Sequence, residues 1–406
     1  MTTSSPWTPH SALTPFVSTL FALLYALYIL AYPPDHRKLS LLLLALPITY
    51  AFKYHLDLTP NASVNDTFGR FLYIWFAHMS YEIAILEFSP SPANSIARKR
   101  GGRLREAYKV LFDRNHTQRR QSTLGPQRRH EFSRLSFLLR HITKVITLYL
   151  AMASWYIFLD TPSFTMSSDY GFEKAFFFRR LPSSLNMREL RVRFNFTFQW
   201  CIINMLMYDT YHSIFAVLFV GCGLDAPNEW SMSLFGSVSE AWSVRRYWGK
   251  HWHNYIYHSF SAHVKIFTRG WLGLKRGRLQ TRLLENILVF AASGLMHSLV
   301  RWMQDGSDGD IWCIAIWYTA QMLPIVIENV AQNIWGRVKE KLVITSNRSV
   351  RELERLVGYM WVVGWFMWSV PKQIHTKNEW TDRLMRRRYP VTYASEMELE
   401  KMSSEF

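Results

Sequence analysis

The sequence predicts an all-α polytopic membrane protein with about seven to nine transmembrane helices. Apolar residues of this 406-residue chain gather in long runs instead of recurring with the period of a water-facing helix. Basic residues, by contrast, concentrate between the runs. Alternation of apolar runs with basic connections is the pattern of a chain that crosses a bilayer several times.

The first run, residues 11–32, comes close to the roughly 20 residues that a helix needs to cross a bilayer. No basic residue precedes it, while Arg37 and Lys38 follow it, so we expect an uncleaved anchor whose N-terminus lies outside the cytosol. The next run, 39–52, is the shortest. Further runs lie at residues 71–86, 145–159, 194–224, 287–303, 311–331 and 356–370.

The net charge of +17 is concentrated in the connections between these runs. Residues 98–144 hold 14 Lys or Arg against 3 acids, with an apolar run on either side. This arrangement predicts a cytosolic loop near anionic lipid and argues against a nucleic-acid partner. The connection before it should then be lumenal, and it contains glycosylation sequons at Asn61 and Asn65. Eight crossings would place the C-terminal tail in the lumen despite the arginines at 386–388.

Composition divides the chain into five predicted regions. They are N-terminal transmembrane segments (1–92), a basic cytosolic loop (93–140), a middle transmembrane block (141–227), a catalytic region with the C-terminal transmembrane helices (228–371) and a polar tail (372–406). The basic loop contains Gly101-Gly102, Gly125-Pro126 and few aromatic residues, so we expect a solvated connector.

Two features of the middle block allow alternatives. Segment 172–180 mixes aromatic and basic residues and is too short to span, so it is either a helix lying at the interface or a lumenal loop packed under the bundle. Asp209 and His212 lie three residues apart within run 194–224. They either form interhelical hydrogen bonds or line a substrate channel in which Asp209 orients an imidazole.

The densest group of polar and aromatic side chains is the run YWGKHWHN at residues 247–254. Another imidazole, His297, follows inside an apolar run, where burying it is costly unless it serves a function. His251 and His253 point apart at a spacing of two on a helix, and no further ligand is nearby. The three cysteines likewise show no ligand spacing, so no metal site is predicted.

Basic residues accompany the aromatic run. Arg245, Arg246 and Lys250 suit either an anionic ligand at the cytosolic surface or a lipid head group, and charge alone leaves both readings open. Trp248 lies among them, and an indole ring can be half buried and still donate its N–H group. The loop at 225–285 therefore has too much tryptophan for a solvated connector.

From the FGS triplet at 235–237 to Asn254, the chain resembles the wax synthase domain, whose signature reads approximately FGS followed by SLREFWGRRWH. The resemblance covers about residues 228–298 and is to the membrane-bound O-acyltransferases. The same domain occurs in fungal membrane acetyltransferases that modify terpenoids, meroterpenoids and trichothecenes. Among the departures from the signature, Tyr247 replaces the usual Phe, and His251 stands where Arg is common.

In that superfamily, an aromatic-rich motif ending in Asn or His precedes an intramembrane histidine by a few tens of residues. The resemblance implies that His297 is the base that deprotonates an acceptor hydroxyl, since imidazole titrates near cellular pH. It also implies that His253 or Asn254 stabilises the developing oxyanion. The residues expected to bind acyl-CoA are Arg245, Arg246, Lys250 and Trp248.

The implied function is transfer of an acyl group, with acetyl favoured, from CoA to a hydroxyl of a hydrophobic secondary metabolite such as a terpenoid or meroterpenoid. A long-chain wax-ester or sterol-ester synthase is one alternative. A transporter or lipid-binding protein is an alternative of another class, although no inverted repeat supports it. The expected partners are the bilayer, a hydrophobic alcohol and acetyl-CoA or another acyl-CoA as co-substrate. We expect no permanently bound cofactor in this multi-pass protein of the endoplasmic reticulum.

Overall fold

A computed structural model describes most of the chain. The described residues are 7–90, 102–112, 133–159, 169, 171–230, 233–252, 255–305, 311–344 and 347–388. Within these ranges every regular element is a helix, which agrees with the all-α prediction. The arginines at 386–388 end the last described range, whereas the sequon at residues 115–117 lies outside the described residues.

Thirteen helices of the described chain organise the fold. They are α1 (Pro9–Ala31), α2 (Arg37–Lys53), α3 (Ala62–Ser80), α4 (Gly102–Leu111), α5 (Arg134–Leu159), α6 (Met187–Phe198), α7 (Asn204–Gly221), α8 (Val244–Arg246), α9 (Tyr255–Lys265), α10 (Leu279–Asp305), α11 (Ile311–Thr319), α12 (Met322–Lys341) and α13 (Arg348–Arg388). Several continue as π-helical turns, including α3 through Tyr81–Ile85 and α8 through Tyr247–His251.

Five helical stretches are long and apolar enough to cross a membrane, judged by length and composition among the described residues. They are Pro9–Ala31, Arg134–Ile157, Met187–Gly221, Leu279–Met303 and Trp312–Lys341. These match five of the predicted apolar runs. The runs at 39–52, 71–86 and 356–370 also lie in helices, but they are not among the five. The count of seven to nine crossings therefore stays a prediction.

The chain forms two compact units. The first unit comprises Met1–Thr117, Ile256–Ile316 and Lys377–Phe406, and the second comprises Gln118–Tyr255 and Trp317–Thr376. In the first unit, α1, α2, α3 and α4 share one apolar core. Ala22 and Ala26 of α1 are completely buried there, because small side chains let neighbouring helices approach closely.

Helix α4 corrects the prediction of a solvated connector in that part of the basic loop. Its Ala107, Val110 and Leu111 are buried, at the spacing of one helix face. The indole of Trp75 donates to the carbonyl of Leu111 at 2.9 Å, so α3 also satisfies a carbonyl at the end of α4. The high density of basic residues around these three apolar positions hides their periodicity in the sequence.

In the second unit, α5 and α7 pack against each other in opposite directions. Arg134 at the start of α5 donates to the carbonyls of Val220 and Gly221 at 2.9 and 2.7 Å, where α7 ends. Further along, Lys144 of α5 donates to Asp209 of α7 at 2.7 Å. For Asp209, the structure therefore has the interhelical bond rather than a carboxylate that orients an imidazole.

Candidate functional site

A buried carboxylate holds the start of the aromatic run in the second unit. The backbone N–H groups of Val244 and Arg245, the first residues of α8, donate to the two oxygens of Glu328 at 2.5 and 3.1 Å. The indole of Trp361 donates to the same carboxylate at 2.9 Å. An anion at a helix N-terminus satisfies N–H groups that have no partner within the helix. Glu328 thus joins α12, α13 and the predicted motif.

The FGS triplet is held against the end of the aromatic run. The N–H group of Gly236 donates to the carbonyl of His251 at 2.8 Å, and Nδ1–H of His251 donates to the carbonyl of Gly236 at 3.0 Å. A Cβ atom on Gly236 would lie only 2.0 Å from the carbonyl oxygen of Lys250, so this position requires glycine. The imidazole of His251 is 2 % exposed and serves this contact.

Burial determines the titration of His251. Loss of hydration around the ring lowers the pKa of His251 below its usual value, while the hydrogen bonds with the backbone of Gly236 and Ser237 partly oppose this. A buried imidazole with a lowered pKa is neutral at cellular pH. The residue that departs from the family signature therefore acts in the structure as a neutral donor to the FGS triplet.

Aromatic rings pack around the motif within the second unit. Trp200 stacks on Trp252 with ring centroids 5.2 Å apart and planes 5° apart. Tyr247 packs on Phe366 of α13 at 4.7 Å. The indole of Trp248 contacts the same group at 5.7 Å from Trp200. Trp248 is half-buried in this cluster, so its ring supports the motif as well as remaining a candidate for substrate contact.

The basic residues of the motif differ in their surroundings. Arg246 pairs with Glu240 and lies over the ring of Trp242, with its guanidinium carbon 4.5 Å from the centroid. Arg245 and Lys250 are exposed. Arg246 is therefore partly neutralised, whereas Arg245 and Lys250 are open to an anionic ligand or to lipid. His253 and Asn254 lie outside the described residues.

His297 lies on α10 in the first unit. Its ring is half-buried between Met296 and Ser298, which are both buried. Met296 packs with Ile74 of α3 and Phe260 of α9 in one apolar cluster. These contacts fix the helix face on either side of the imidazole, so the ring is carried by a packed helix rather than by a loop.

Ion pairs anchor α10 on both sides of His297. Near the start of the helix, Glu285 accepts from Arg269 at 2.6 and 2.9 Å and from Thr268 at 3.2 Å. One turn after His297, the buried Arg301 pairs with Asp66 of α3 at 3.1 Å. The carboxylates of both pairs are little exposed, so breaking either pair would leave a charge in a poorly hydrated position.

A hydrogen bond between Ser80 and His263 joins α9 to α3 in the first unit. Nδ1–H of His263 donates to the carbonyl of Ser259 at 2.7 Å, so Nε2 accepts from the hydroxyl of Ser80, also at 2.7 Å. This bond ties the tryptophan-rich loop onto a helix of the bundle. Nothing in the local sequence around Ser80 indicates this partner 183 residues away.

The predicted site residues are divided between the two units. The second unit holds Trp248 and the basic residues, which the structure brings together on α8 and its π-helical turn. The first unit holds His297. Glu328 and Arg301 were missed, although each is the single charged residue in its predicted apolar run, which is a usable signal. No group of three metal-ligating side chains occurs among the residues with described positions.

The segment that contains both the motif and His297 is similar to known proteins. Residues 230–319 match the model of the membrane bound O-acyl transferase family. The match covers 90 of the 406 residues of the chain. The predicted resemblance is therefore confirmed, and with the apolar helices it makes the chain an integral membrane protein.

Fungal relatives of this membrane bound O-acyl transferase segment carry acetyltransferase names. The chain is 30% identical over 218 residues to acetyltransferase nanB of Aspergillus nanangensis, covering 52% of this chain and 51% of the relative. It is 27% identical to acetyltransferase atnC of Arthrinium sp, covering 64% and 57%. It is 32% identical to acetyltransferase aurG of Calcarisporium arbuscula, covering 39% and 37%. The chain thus spans about half the length of the relatives it matches. No solved structure gives a significant match.

Proposed function

We propose that this protein is a multi-pass membrane O-acyltransferase that uses acyl-CoA, with acetyl-CoA as the favoured donor. The acceptor is a hydroxyl of a hydrophobic secondary metabolite such as a terpenoid or meroterpenoid. One observation carries the proposal, which is the family match over 230–319 together with relatives named acetyltransferases. The catalytic region is accordingly assigned to residues 228–371, as the sequence predicts.

In the proposed reaction, Nε2 or Nδ1 of His297 accepts the proton of the acceptor hydroxyl as its oxygen attacks the thioester carbonyl. A new C–O bond forms, the C–S bond breaks, and the proton passes to the CoA sulfur. His253 or Asn254 stabilises the negative charge on the carbonyl oxygen. The packed and ion-paired helix α10 supports the role of His297, because a base acts well only when its position is fixed.

Binding of the CoA phosphates is assigned to the exposed Arg245 and Lys250, with a smaller part for Arg246. The exposure of the first two supports this assignment, and the ion pair of Arg246 with Glu240 reduces the charge that Arg246 can offer. Trp248 is assigned to the same region as an aromatic wall. Glu328 is a positioning residue, since it contacts the backbone that carries Arg245 rather than substrate.

Eight membrane crossings in the endoplasmic reticulum, with the N-terminus and the tail in the lumen, complete the proposal. In the first unit, the indole of Trp7 donates to the carbonyl of Asp57 at 3.0 Å, and both are assigned to the lumen. Arg37 donates to the carbonyl of Phe88 and to Ser89, each at 2.7 Å, and all three are assigned to the cytosol. Such contacts are what an eight-crossing chain requires.

Contacts within the second unit agree with the same count. Lys339 donates to Glu354 at 2.8 Å, across a connection that is assigned to the cytosol. The ring of His375 packs on Phe196 with centroids 5.3 Å apart, at the lumenal end of α6. Four crossings between residues 196 and 375 bring both rings to the same side, whereas three would not. Helix α13 is therefore assigned a crossing although its composition is less apolar.

The test is label transfer in microsomes that contain the wild-type protein or His297→Ala, supplied separately with labelled acetyl-CoA and palmitoyl-CoA. A panel of terpenoid and fatty alcohols serves as acceptors. We expect transfer from acetyl-CoA to a terpenoid alcohol in the wild type and a loss of at least a hundredfold in His297→Ala. His10→Ala is the matched control, because His10 is exposed at the start of α1.

Each other outcome changes the assignment. Transfer of palmitoyl groups to fatty alcohols would replace the acetyltransferase with an ester synthase. A full transfer rate in a well-expressed His297→Ala protein would remove His297 from the mechanism. Absence of transfer from both donors to every acceptor would favour a transporter or lipid-binding protein.

A further inference from the structure

A small cavity of about 80 Å³ lies in the second unit, where segment 171–186 meets the start of α6 and the side of α13. Ionisable side chains dominate its lining. They are Asp169, Lys174, Arg188, Glu189, Arg193 and His375. Three cations oppose two carboxylates, so with a neutral imidazole the lining carries one net positive charge.

Both carboxylates of this lining already form ion pairs with guanidinium groups. Arg193 and Glu189, which are 3 % and 6 % exposed, pair at 3.0 Å, and Arg180 adds a second guanidinium to Glu189. Arg188 donates to both oxygens of Asp169, at 3.0 and 2.5 Å. With Arg180 included, the local excess rises to two positive charges. Paired groups of this kind form a rigid wall.

Lys174 is the cation of this lining for which the described residues show no carboxylate partner. Its side chain is half-buried, and its carbonyl oxygen is fixed because it accepts hydrogen bonds from Arg180 and Arg193. The Nε atom of Arg180 is buried and has no hydrogen-bond partner in the part of the chain described. Because the lining itself carries one net positive charge, an anion in the cavity would compensate that charge.

Large exposed apolar side chains lie in sequence between the lining residues Lys174 and Arg188. Phe178, Leu185 and Met187 are 63 %, 61 % and 73 % exposed, and Arg179 beside them is exposed as well. Segment 172–180 forms two short helical turns instead of the interfacial helix that was one predicted alternative. Exposed apolar residues beside cations are typical of a segment at the boundary between head groups and acyl chains.

We propose that this cavity binds the phosphate group of an anionic phospholipid, with Lys174 as its main contact and Phe178, Leu185 and Met187 against the acyl chains. The phosphates of acyl-CoA have the same chemistry but a different location. In the eight-crossing topology proposed above, Lys174 faces the lumen, whereas acyl-CoA is supplied from the cytosol. The exposed apolar rim further favours a ligand with acyl chains over free phosphate.

The full-length protein, purified in mild detergent and stripped of lipid, provides the test. Dioleoyl phosphatidic acid, dioleoyl phosphatidylcholine, inorganic phosphate and CoA are each added, and binding is measured by native mass spectrometry and by the thermal unfolding midpoint. We expect one phosphatidic acid per protein and a higher midpoint. Lys174→Gln should weaken this binding roughly tenfold, through loss of one charge-assisted hydrogen bond, and Lys174→Arg should restore most of it.

Arg179→Gln is the matched control, because Arg179 belongs to the same segment but stacks over Phe176 outside the cavity. Equal weakening by Arg179→Gln and Lys174→Gln would overturn the site in favour of general surface attraction. Equal binding of phosphatidylcholine or of inorganic phosphate would overturn the anionic lipid as ligand. Competition by CoA would assign the cavity to the co-substrate and contradict the topology. The measurement needs no acyl transfer, so a failure of the proposed function leaves its result unaffected.

Discussion

Two glycines of the same motif differ in the space around them. A Cβ atom at Gly236 would approach the carbonyl oxygen of Lys250 to 2.0 Å, whereas at Gly249 it would meet no atom within 4 Å. We expect Gly236→Ala to lower the free energy of unfolding by about 1–3 kcal/mol, because the backbone must move to relieve the overlap. Thermal unfolding in detergent measures the change. Gly249→Ala is the control, and equal effects of the two would contradict the described pairing.

His251 should make stability depend on pH in a defined window. Its pKa is lowered in the folded protein by burial, so the unfolded chain binds a proton more readily. The full contribution of the neutral ring is present above pH of about 6.5, the unfolded value, and decreases as pH falls from there through the folded pKa. His251→Asn, which keeps an N–H donor, should reduce the loss of unfolding midpoint between pH 7.5 and 5.

The exposed His36 provides a matched control, because His36→Asn makes the same substitution away from the contact with Gly236. His36→Asn should show the same pH dependence as the wild type. An unchanged dependence in His251→Asn would mean that other groups dominate acid unfolding.

The two sequons that are assigned to the lumen differ in their capacity to hold a glycan. Asn65 is 2 % exposed, and its Nδ2 donates to the carbonyls of Leu56 and Thr59 at 2.6 and 2.8 Å. Asn61 is exposed. Because a glycan would occupy the Nδ2 atom, we expect modification at Asn61 alone. Removal of the glycan by endoglycosidase should shift the mobility of Asn65→Gln but not of Asn61→Gln, and the reverse pattern would contradict the fold of this loop.

At the scale of elements, Glu328 is the link between α12 and α8. Glu328→Gln retains an acceptor but loses the charge at the helix N-terminus, so we expect a loss of about 2 kcal/mol in unfolding free energy. Because α8 carries Arg245, the apparent KM for acyl-CoA should rise more than kcat falls. Glu340→Gln on the exposed face of the same helix is the control. A normal KM in Glu328→Gln would show that α8 keeps its position without the carboxylate.

The apolar helices were predictable because crossing a bilayer requires length and apolarity, which a sequence displays directly. Helix α4 was not predictable as a packed helix, since its three buried positions lie among basic residues that dominate its composition. The contact of Glu328 with α8 joins residues 84 apart in sequence, and no local pattern encodes such a pairing. The lone acid in run 311–331 is unusual in apolar surroundings, but the sequence does not reveal its partner.

The candidate site was predictable to a similar degree. The motif and His297 stand out in the sequence because imidazoles and amides are rare in apolar surroundings. The role of His251 could not be predicted, since a buried donor and an exposed ligand look identical in sequence. Its partner, Gly236, lies 15 residues earlier. Geometry alone distinguishes Arg246, which pairs with Glu240, from Arg245 beside it.

At the scale of the whole molecule, a region that is continuous in sequence need not form one compact unit. The predicted region 228–371 is continuous and holds the motif and His297, yet its residues contribute to both compact units. The family match at 230–319 likewise extends over residues of both. A fragment restricted to either stretch would lack helices against which its own residues pack, such as α3 for Met296.

The side of the membrane on which the C-terminal tail lies tests the proposed arrangement of crossings. The packing of His375 on Phe196 requires an even number of crossings between them, so a tag after Phe406 should be protected from protease in sealed microsomes and lost when detergent is added. A tag inserted after Val343, which is 85 % exposed in the connection between α12 and α13, should be digested without detergent. If the C-terminal tag were digested in sealed microsomes, α13 would not cross, and Lys174 and acyl-CoA would no longer be assigned to opposite sides.

Positive charge alone predicts that outcome for a tail with three consecutive arginines. The experiment therefore distinguishes the effect of charge from the effect of packing, and we expect packing to prevail, because α13 buries Phe366 and Val370 almost completely.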